Sequence, residues 1–371
     1  MCRKINTFSK SLLLFLIFFS VFSLKSFAYE PAEPAQAESG FDPGKLIIEH
    51  ISDGYGWHIA GSEENPIVLP LPVILYSKER GLDVFLSSKF NHGHTAYKGY
   101  KLEENHIVAV NELAELSAHK ATINHELTAN LWDISITKNV FALLFGTLLI
   151  LWMFLSLAKA YKNNANKAPR GLQSFLEPLI MFVRDDVAKN SIGPKYEKFV
   201  PYLLTVFFFI FINNLLGLIP ILPGGANLTG NIAVCLVLAG VTFLITLINS
   251  NGHYWRHIFA MPGVPIGILF ILTPIEILGL VLRPFVLMIR LFANITAGHI
   301  IGLAFFSIIF IFGKMSPGAG YGASVVSVLF TVFMGLMELL VAFLQAYVFT
   351  LLSAIYIGSA LEEGHHAEEH H

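Results

Sequence analysis

Residues Pro274–His299 read PIEILGLVLRPFVLMIRLFANITAGH. They lie inside an apolar run from about Val264 to Phe312 that nevertheless carries Glu276, Arg283, Arg290 and His299. An ionisable side chain at bilayer depth costs at least about 2.5–3.5 kcal/mol on insertion scales, so charges retained there are functional candidates by default. Glu276, Arg283 and Arg290 recur every seven residues, and a helix drifts only about 20° over that interval, so the three share one stripe. Asn294 and Ala297 extend it, whereas His299, nine residues beyond Arg290, points the opposite way. One face thus holds a fixed cation and the other a titratable group. Arginine stays charged at any relevant pH, so Arg290 cannot itself carry a proton; it can hold a counter-ion or block a path. The plainer alternatives are that Arg290 pairs with a carboxylate on a neighbouring helix, and that Glu276 and Arg283 form a structural ion pair.

Around this stretch, composition sets the class. Hydrophobic residues make up 54% of the chain and charged ones 13%, and several apolar runs reach the roughly 20 residues that a spanning helix needs. The fold class is an all-α polytopic membrane protein with about five membrane helices. The expected spans are Val140–Ala158, Phe199–Ile219, Asn231–Asn249, the run from Val264 to Phe312, and Ala323–Ser359. The fourth run would measure about 70 Å as one helix and the fifth about 55 Å, against a hydrocarbon core of about 30 Å. Length permits either two spans with a tight turn or one strongly tilted helix, bent at Pro284. A polar break at Gly313-Lys314-Met315-Ser316-Pro317-Gly318 separates the two runs. Gln173–Ile192 mixes apolar residues with Glu177, Arg184, Asp185, Asp186 and Lys189, too many charges to span, and reads as an amphipathic surface helix.

Ahead of the spans the chain reads as exported. Arg3, Lys4 and Lys10, the apolar Leu12–Phe22 and the small-x-small Ser26-Phe27-Ala28 form a secretory signal over 1–28, with Tyr29 as the mature start; an uncleaved anchor is the alternative. Residues 29–132 form a polar extension with expected strands at Ile67–Tyr76, Leu82–Leu86 and Ile107–Val110, the first two joined at Glu79-Arg80-Gly81. Glu112–Asn130 reads as helical, and Asp133 as the cap of the first span. Lys159, Lys162, Lys167 and Arg170 directly after that span mark the cytoplasmic side. This agrees with an exported N-terminus and a multi-pass protein of the bacterial inner membrane. The loop Pro220–Gly230 has no Lys or Arg, as an outer loop should. Residues 363–371 form an acidic, His-rich tail, read as solvated.

Three blocks now converge on a family. Ile289-Arg290-Leu291-Phe292-Ala293-Asn294-Ile295-Thr296-Ala297-Gly298-His299 resembles the signature of subunit a of F-type ATP synthases, the proton-channel stator subunit. Asn213-Asn214-Leu215-Leu216-Gly217-Leu218-Ile219-Pro220 and Leu344-Gln345-Ala346-Tyr347-Val348-Phe349 resemble its two other recurring blocks, in the right order. The resemblance covers roughly residues 133–362 as the membrane domain. It implies that the two long runs form a tilted hairpin against the rotor c-ring, with the C-terminus in the cytoplasm. It implies that Arg290 faces the rotor carboxylate and bars a leak between two offset half-channels, supported by Asn294 and Gln345. It also implies that Glu276, His299 and Glu338 line the proton pathway, with Asn213 and Asn214 at its outer part and Arg283 and Tyr356 secondary. Familiar members carry a glutamate at the position of His299 and a histidine at that of Glu338. Here the two are exchanged, which suggests that the sites act together across the hairpin.

Other implied partners are the peripheral-stalk subunit b, the rest of the synthase and the lipid bilayer. The expected transported ion is H+, with sodium left open because the rotor carboxylate lies on another chain; no cofactor and no metal are expected. The chain has no Walker-type loop, His-Glu-x-x-His or Gly-x-Ser-x-Gly motif, so it is expected to be non-catalytic and to bind no nucleotide. Net charge near zero gives no sign of nucleic acid. The competing reading is a stand-alone channel or secondary transporter with an intramembrane Arg–carboxylate relay; that predicts repeated halves, and none is visible.

Overall fold

The computed structural model describes residues 43–362, apart from 63–64, 104, 112–115, 119, 164–167, 220–223 and 262–263. The expected leader and the C-terminal tail lie outside the described residues.

The N-terminal part begins with helix α1 (Pro43–Ile51) and continues as small antiparallel sheets. The run expected as one strand from Ile67 to Tyr76 is two. β2 (Asn65–Pro70) pairs with β1 (Gly56–Ser62), and β3 (Pro72–Ser77) pairs with β4 (Gly81–Leu86). The prolines at 70 and 72 flank the break, where a ladder loses donors. The β3–β4 turn falls at Lys78–Arg80, next to Gly81 at φ +77°. Arg80 is more than a turn residue. Its guanidinium donates to the Gly99 and Val110 carbonyls at 2.6 and 2.7 Å and lies over the Tyr100 ring. β5 (Thr95–Ala96) pairs with β8 (Leu116–Ser117), and β6 (Tyr100–Glu103) with β7 (His106–Ala109). Val73, Leu75, Phe90 and Tyr100 form the core of this unit.

Two local expectations fail here. Among the described residues of Glu112–Asn130 only α2 (His125–Ala129) is helical, capped by Asn124 accepting from Leu127 N. Polar residues favour turns as readily as helix, and long-range pairing of β8 takes the preceding segment. Asp133 does not cap the first span. It lies in β9 (Trp132–Asp133), accepts from the Tyr55 hydroxyl at 2.5 Å and from Ser135 N at 2.9 Å, and β9 pairs with β3. Burial and the neighbouring Asp133 carboxylate push the Tyr55 phenol up.

The first long helix, α3 (Lys138–Asn163), is capped instead by Thr137, whose hydroxyl accepts from Val140 N at 3.3 Å, together with Asp53, in the α1–β1 loop. Its carboxylate accepts from Asn139 N at 3.0 Å and from the Thr137 hydroxyl at 2.8 Å, across more than eighty residues of chain. An N-cap carboxylate satisfies otherwise orphaned amides. Asp53→Ala is therefore expected to loosen the start of α3 by about 1–2 kcal/mol, seen as faster hydrogen exchange at the Asn139 amide. Unchanged exchange would mean that water caps the helix equally well.

The helical part follows as expected. α3 leads to a surface segment composed of α4 (Leu172–Met181) and a π-helical stretch, Phe182–Lys189. The latter buries Val183, Val187 and Ala188, while Arg184 and Asp185 pair through two 2.8 Å bonds that hold the Asp185 carboxyl below its ordinary range. α5 (Val200–Leu218) is the central post. Its Leu203, Phe207, Phe208 and Ile210 are fully buried against Leu176 and Val183 of the surface segment, Leu287 and Leu291, and Phe349 and Ile357. α6 (Ile232–Ile248) bends by 104° into α7 (Gly252–Phe259).

The two over-long runs are α8 (Ile266–Met315, 50 residues) and α9 (Pro317–Leu361, 45 residues). α8 is one helix that contains Pro274 and Pro284, which settles the choice left open by its length. Ser316 turns the hairpin: its hydroxyl accepts from Ala319 N at 3.1 Å, and Pro317 follows at the first helical position. A Cβ on Gly320 would stand 2.8 Å from Gly313 Cα, so the close approach at the turn needs glycine. Among the described residues four helices, α3, α5, α8 and α9, are long and apolar enough to cross a membrane, or five with the bent α6–α7 pair.

Candidate functional site

The α8–α9 hairpin carries most of the candidate residues. Along α8 the sevenfold stripe turns progressively outward. Glu276 and Arg283 are half-buried, and Arg290, Asn294 and Ala297 are exposed. Among the described residues Arg290 has no hydrogen-bond or ion-pair partner, so the structural pairing weighed for it is not formed within this chain.

The proposed Glu276–Arg283 ion pair is not formed either. Arg283 Nη1 donates to the Tyr254 hydroxyl at 3.1 Å and its guanidinium lies 5.6 Å from the centre of the Tyr356 ring. Arg283 thereby ties α8 to α7 and α9, which gives it a structural neighbourhood distinct from that of Arg290. Glu276 sits near the same Tyr254 hydroxyl. Beside this cluster is a small cavity lined by Thr242, Thr246, Tyr254, Arg283 and Tyr356. A short chain of hydroxyls adjoins it. Tyr202 and Thr242 share a 2.7 Å bond, and Thr242 and Ser353 a 3.3 Å one. None of these hydroxyls stands out in sequence, because Ser and Thr are common in apolar helices, where they bond their own backbone.

Glu338 and His299 do not meet. Glu338 lies against α8 at two glycines: a Cβ on Gly298 would fall 2.9 Å from Glu338 Oε1, and one on Gly302 3.8 Å from it. That oxygen is buried and has no hydrogen-bond partner. An unsatisfied buried polar group costs about 1–3 kcal/mol, and one kept in place calls for a reason beyond packing. His299 is one residue, or about 100° of helix, away from Gly298 and presents its ring to α5. A Cβ on Gly217 would be 3.9 Å from His299 Nε2 and 3.3 Å from the Ala226 carbonyl. Glu338 and His299 therefore lie against different neighbours and do not form the direct pair considered for them.

Asn213 and Asn214 also diverge. Asn214 is buried, donates to the Ala342 carbonyl of α9 at 3.4 Å and accepts from the Thr229 hydroxyl at 2.6 Å. It thus joins α5, α9 and the loop before α6. Asn213 donates to its own helix at Phe209 O, 2.7 Å, and packs on Gly146 of α3, with its Oδ1 unpartnered. Gln345 is buried but makes no hydrogen bond among the described residues, so it does not serve as the interhelical tie considered for it.

Two residues near His299 were missed. His50 of α1 and Lys138 at the start of α3 lie close enough for their charges to act on its ring. Lys138 is 8% exposed, and its Nζ donates to the His50 carbonyl at 3.0 Å. The only sequence signal was a lysine opening an apolar helix, which ordinarily snorkels into water. Among the described residues no group of three His, Cys, Asp or Glu side chains converges as a metal site.

Comparison with known proteins bears on this arrangement. Residues 140–358 match the family described as ATP synthase A chain. Residues 46–134 match a second family, described as a domain of unknown function. ATP synthase subunit a of Chlorobium phaeobacteroides (strain BS1) is 47% identical over 247 residues, covering 65% of this chain and 70% of that protein. ATP synthase subunit a 2 of Chlorobaculum tepidum is 48% identical over 245 residues, 64% of this chain and 66% of that protein. ATP synthase subunit a of Anaeromyxobacter sp. (strain Fw109-5) is 33% identical over 359 residues, 92% of this chain and 77% of that protein, so that likeness runs through the N-terminal unit as well. Because the family model matches more than half of the chain, over all its long apolar helices, this chain belongs to the ATP synthase A chain family.

Proposed function

We propose that this chain is the proton-conducting stator subunit of an F-type ATP synthase in a bacterial inner membrane. In this reading its partners are the rotor c-ring, the peripheral-stalk subunit b and the rest of the complex. The observation that carries the reading is Arg290: an exposed guanidinium on a long apolar helix with no hydrogen-bond or ion-pair partner among the described residues. The carboxylate that answers it belongs to a passing rotor subunit. Asn294 and Ala297, exposed on the same stripe, give that contact a polar and sterically open lane. The chain itself performs no ATP chemistry; it couples proton flow to rotation.

The two sides of the hairpin then divide the path. The outer half-channel runs by His299 and Glu338, with Asn214 holding α5, α9 and the loop before α6 in register. The inner half-channel runs by Glu276 and the hydroxyl-lined cavity at Tyr254 and Tyr356. Arg283 fixes the cavity wall and Arg290 separates the two halves. The mature N-terminus lies in the periplasm and the C-terminus in the cytoplasm. Each proton that crosses 100 mV releases about 2.3 kcal/mol, so several per turn can drive one synthesis step elsewhere in the complex.

The test is ATP-driven proton pumping by inverted vesicles that carry the whole complex. Glu338→Gln keeps the shape of the side chain in its glycine-lined niche and removes its titration. Pumping is expected to fall roughly tenfold or more, with assembly unchanged, because a positioned proton-transfer group contributes at least that much. Undiminished pumping by Glu338→Gln would remove Glu338 from the path.

A further inference from the structure

The three-stranded sheet of the N-terminal unit, β4-β3-β9, is apolar on both faces. One face is the core already described, where Val73 and Leu75 are fully buried against Phe90 and Tyr100. The other is set by the strand register. β3 places Tyr76 opposite Leu82, Ile74 opposite Val84 and Pro72 opposite Leu86 of β4, and on its other side pairs Tyr76 with Trp132 of β9. Side chains two apart along a strand share a face, so these residues and Ile134 form one apolar surface without a charge. It is exposed: Leu82 is 64%, Val84 56%, Trp132 68% and Ile134 59% accessible. An antiparallel sheet with one face in water ordinarily alternates apolar-in with polar-out, and a contiguous exposed apolar patch marks an interaction surface.

We propose that this face lies on lipid where α3 enters the bilayer, as an interfacial anchor for the N-terminal unit. The proposal goes beyond the proton-channel reading and needs only that α3 spans the membrane. Continuity with the membrane-facing surface carries it. Ile134 N donates to the Ile74 carbonyl at 2.9 Å and Ile136 N to the Pro72 carbonyl at 3.0 Å, so the sheet pairing runs almost to the start of α3 at Lys138. From there an exposed apolar row resumes on the helix at Val140, Leu144, Leu148, Leu151 and Leu155, spaced as one helical stripe. The unit is also tied to the membrane helices. α1 packs against α8, the buried Lys138 donates to the His50 carbonyl at 3.0 Å, and Asp53 accepts from Asn139 N at 3.0 Å. The chemistry of the face selects lipid over protein. A protein interface carries about one hydrogen bond per 100–200 Å², yet the only side-chain polar atoms on this face are Tyr76 Oη and Trp132 Nε1. Both belong to paired amphipathic rings, the residue types that gather at headgroup level.

The experiment places a nitroxide label on Val84→Cys in the intact complex in lipid nanodiscs. It compares collision of the label with oxygen, which concentrates in lipid, and with a water-soluble nickel chelate. The wild-type complex supplies the background, since Cys235 is buried. His106→Cys is the water-facing control: it is exposed on β7, whose Ile107 and Ala109 pack on the core face of the sheet. Collision with oxygen is expected to exceed collision with the chelate severalfold at Val84, with the order reversed at His106. Chelate collision at Val84 equal to that at His106 would show a face in water and overturn the proposal. Shielding of Val84 from both reagents, or failure of the label to attach, would place a protein on the face and overturn it equally. Leu82→Cys, two residues along the same strand, repeats the measurement. Failure of both variants to assemble would make the face a protein-packed one, with the same consequence.

Discussion

Arg290→Ala is expected to abolish ATP-driven proton pumping by the assembled complex while ATP hydrolysis by detached heads stays intact. The reason lies in what Arg290 lacks. It is exposed on α8 with no ion-pair or hydrogen-bond partner among the described residues. An unpaired guanidinium at bilayer depth costs at least about 2.5–3.5 kcal/mol, a cost that a carboxylate on a neighbouring subunit would offset. Removing it should leave the subunit no less stable on its own, so loss of pumping would be a loss of function rather than of folding. Arg290→Lys is expected to fail largely as well. An ammonium releases its proton when desolvated and lacks the planar fork that engages a carboxylate in two places. Retained pumping in the alanine variant would overturn the stator reading, which rests on Arg290.

Gly358→Ala is expected to be the most damaging small change to the architecture. The added methyl would meet the Ser191 carbonyl of the surface segment, with Ser191 C 3.0 Å and Ile192 Cα 3.3 Å away. These neighbours are backbone atoms in a packed interface, so no side-chain rotation relieves the clash. Overpacking of this kind costs about 1–3 kcal/mol or more, and here it would prise α9 from the surface segment just below Ile357, a fully buried member of the core. The readout is the amount of subunit recovered in assembled complex and its loss on mild heating. Gly240→Ala on α6, where a Cβ meets nothing within 4 Å, is the control and should assemble normally. Equal recovery of the two variants would mean that the α9 contact is looser than the distances imply.

Much of this molecule was legible because its decisive signals are local. Apolar runs of twenty or more residues declared the spans, and the density of charge in Gln173–Ile192 declared a surface helix, since neither depends on what lies elsewhere in the chain. The strands at Leu82–Leu86 and Ile107–Val110 showed in the same way, through short β-rich runs bounded by turn residues. The failures share one cause. Asp133 stood at a suitable distance from the first span, but Asp53 caps it, because the fold brings a loop from the far side of the small sheets onto that helix end. Glu112–Asn130 has helical composition, yet strand pairing with Thr95–Ala96 takes part of it. The spacing of Glu276 and Arg283 fitted a pair, but Tyr254 and Tyr356 offered Arg283 closer partners from other helices.

By itself the sequence determined the membrane class, the two over-long apolar runs, the shared stripe of Arg290, Asn294 and Ala297, and the resemblance to the family. Each follows from periodicity or from a contiguous motif. Only the tertiary structure decided that His299 lies beside Gly217 while Glu338 lies in a niche of Gly298 and Gly302, that Asn213 and Asn214 serve different neighbours, and that Asp53 and Lys138 tie α1 and its loop to the start of α3. Helical periodicity fixes the direction of a side chain about its own axis. It carries no information about which distant segment occupies that direction, and that is set by the packing of α1, α5 and the α8–α9 hairpin against one another.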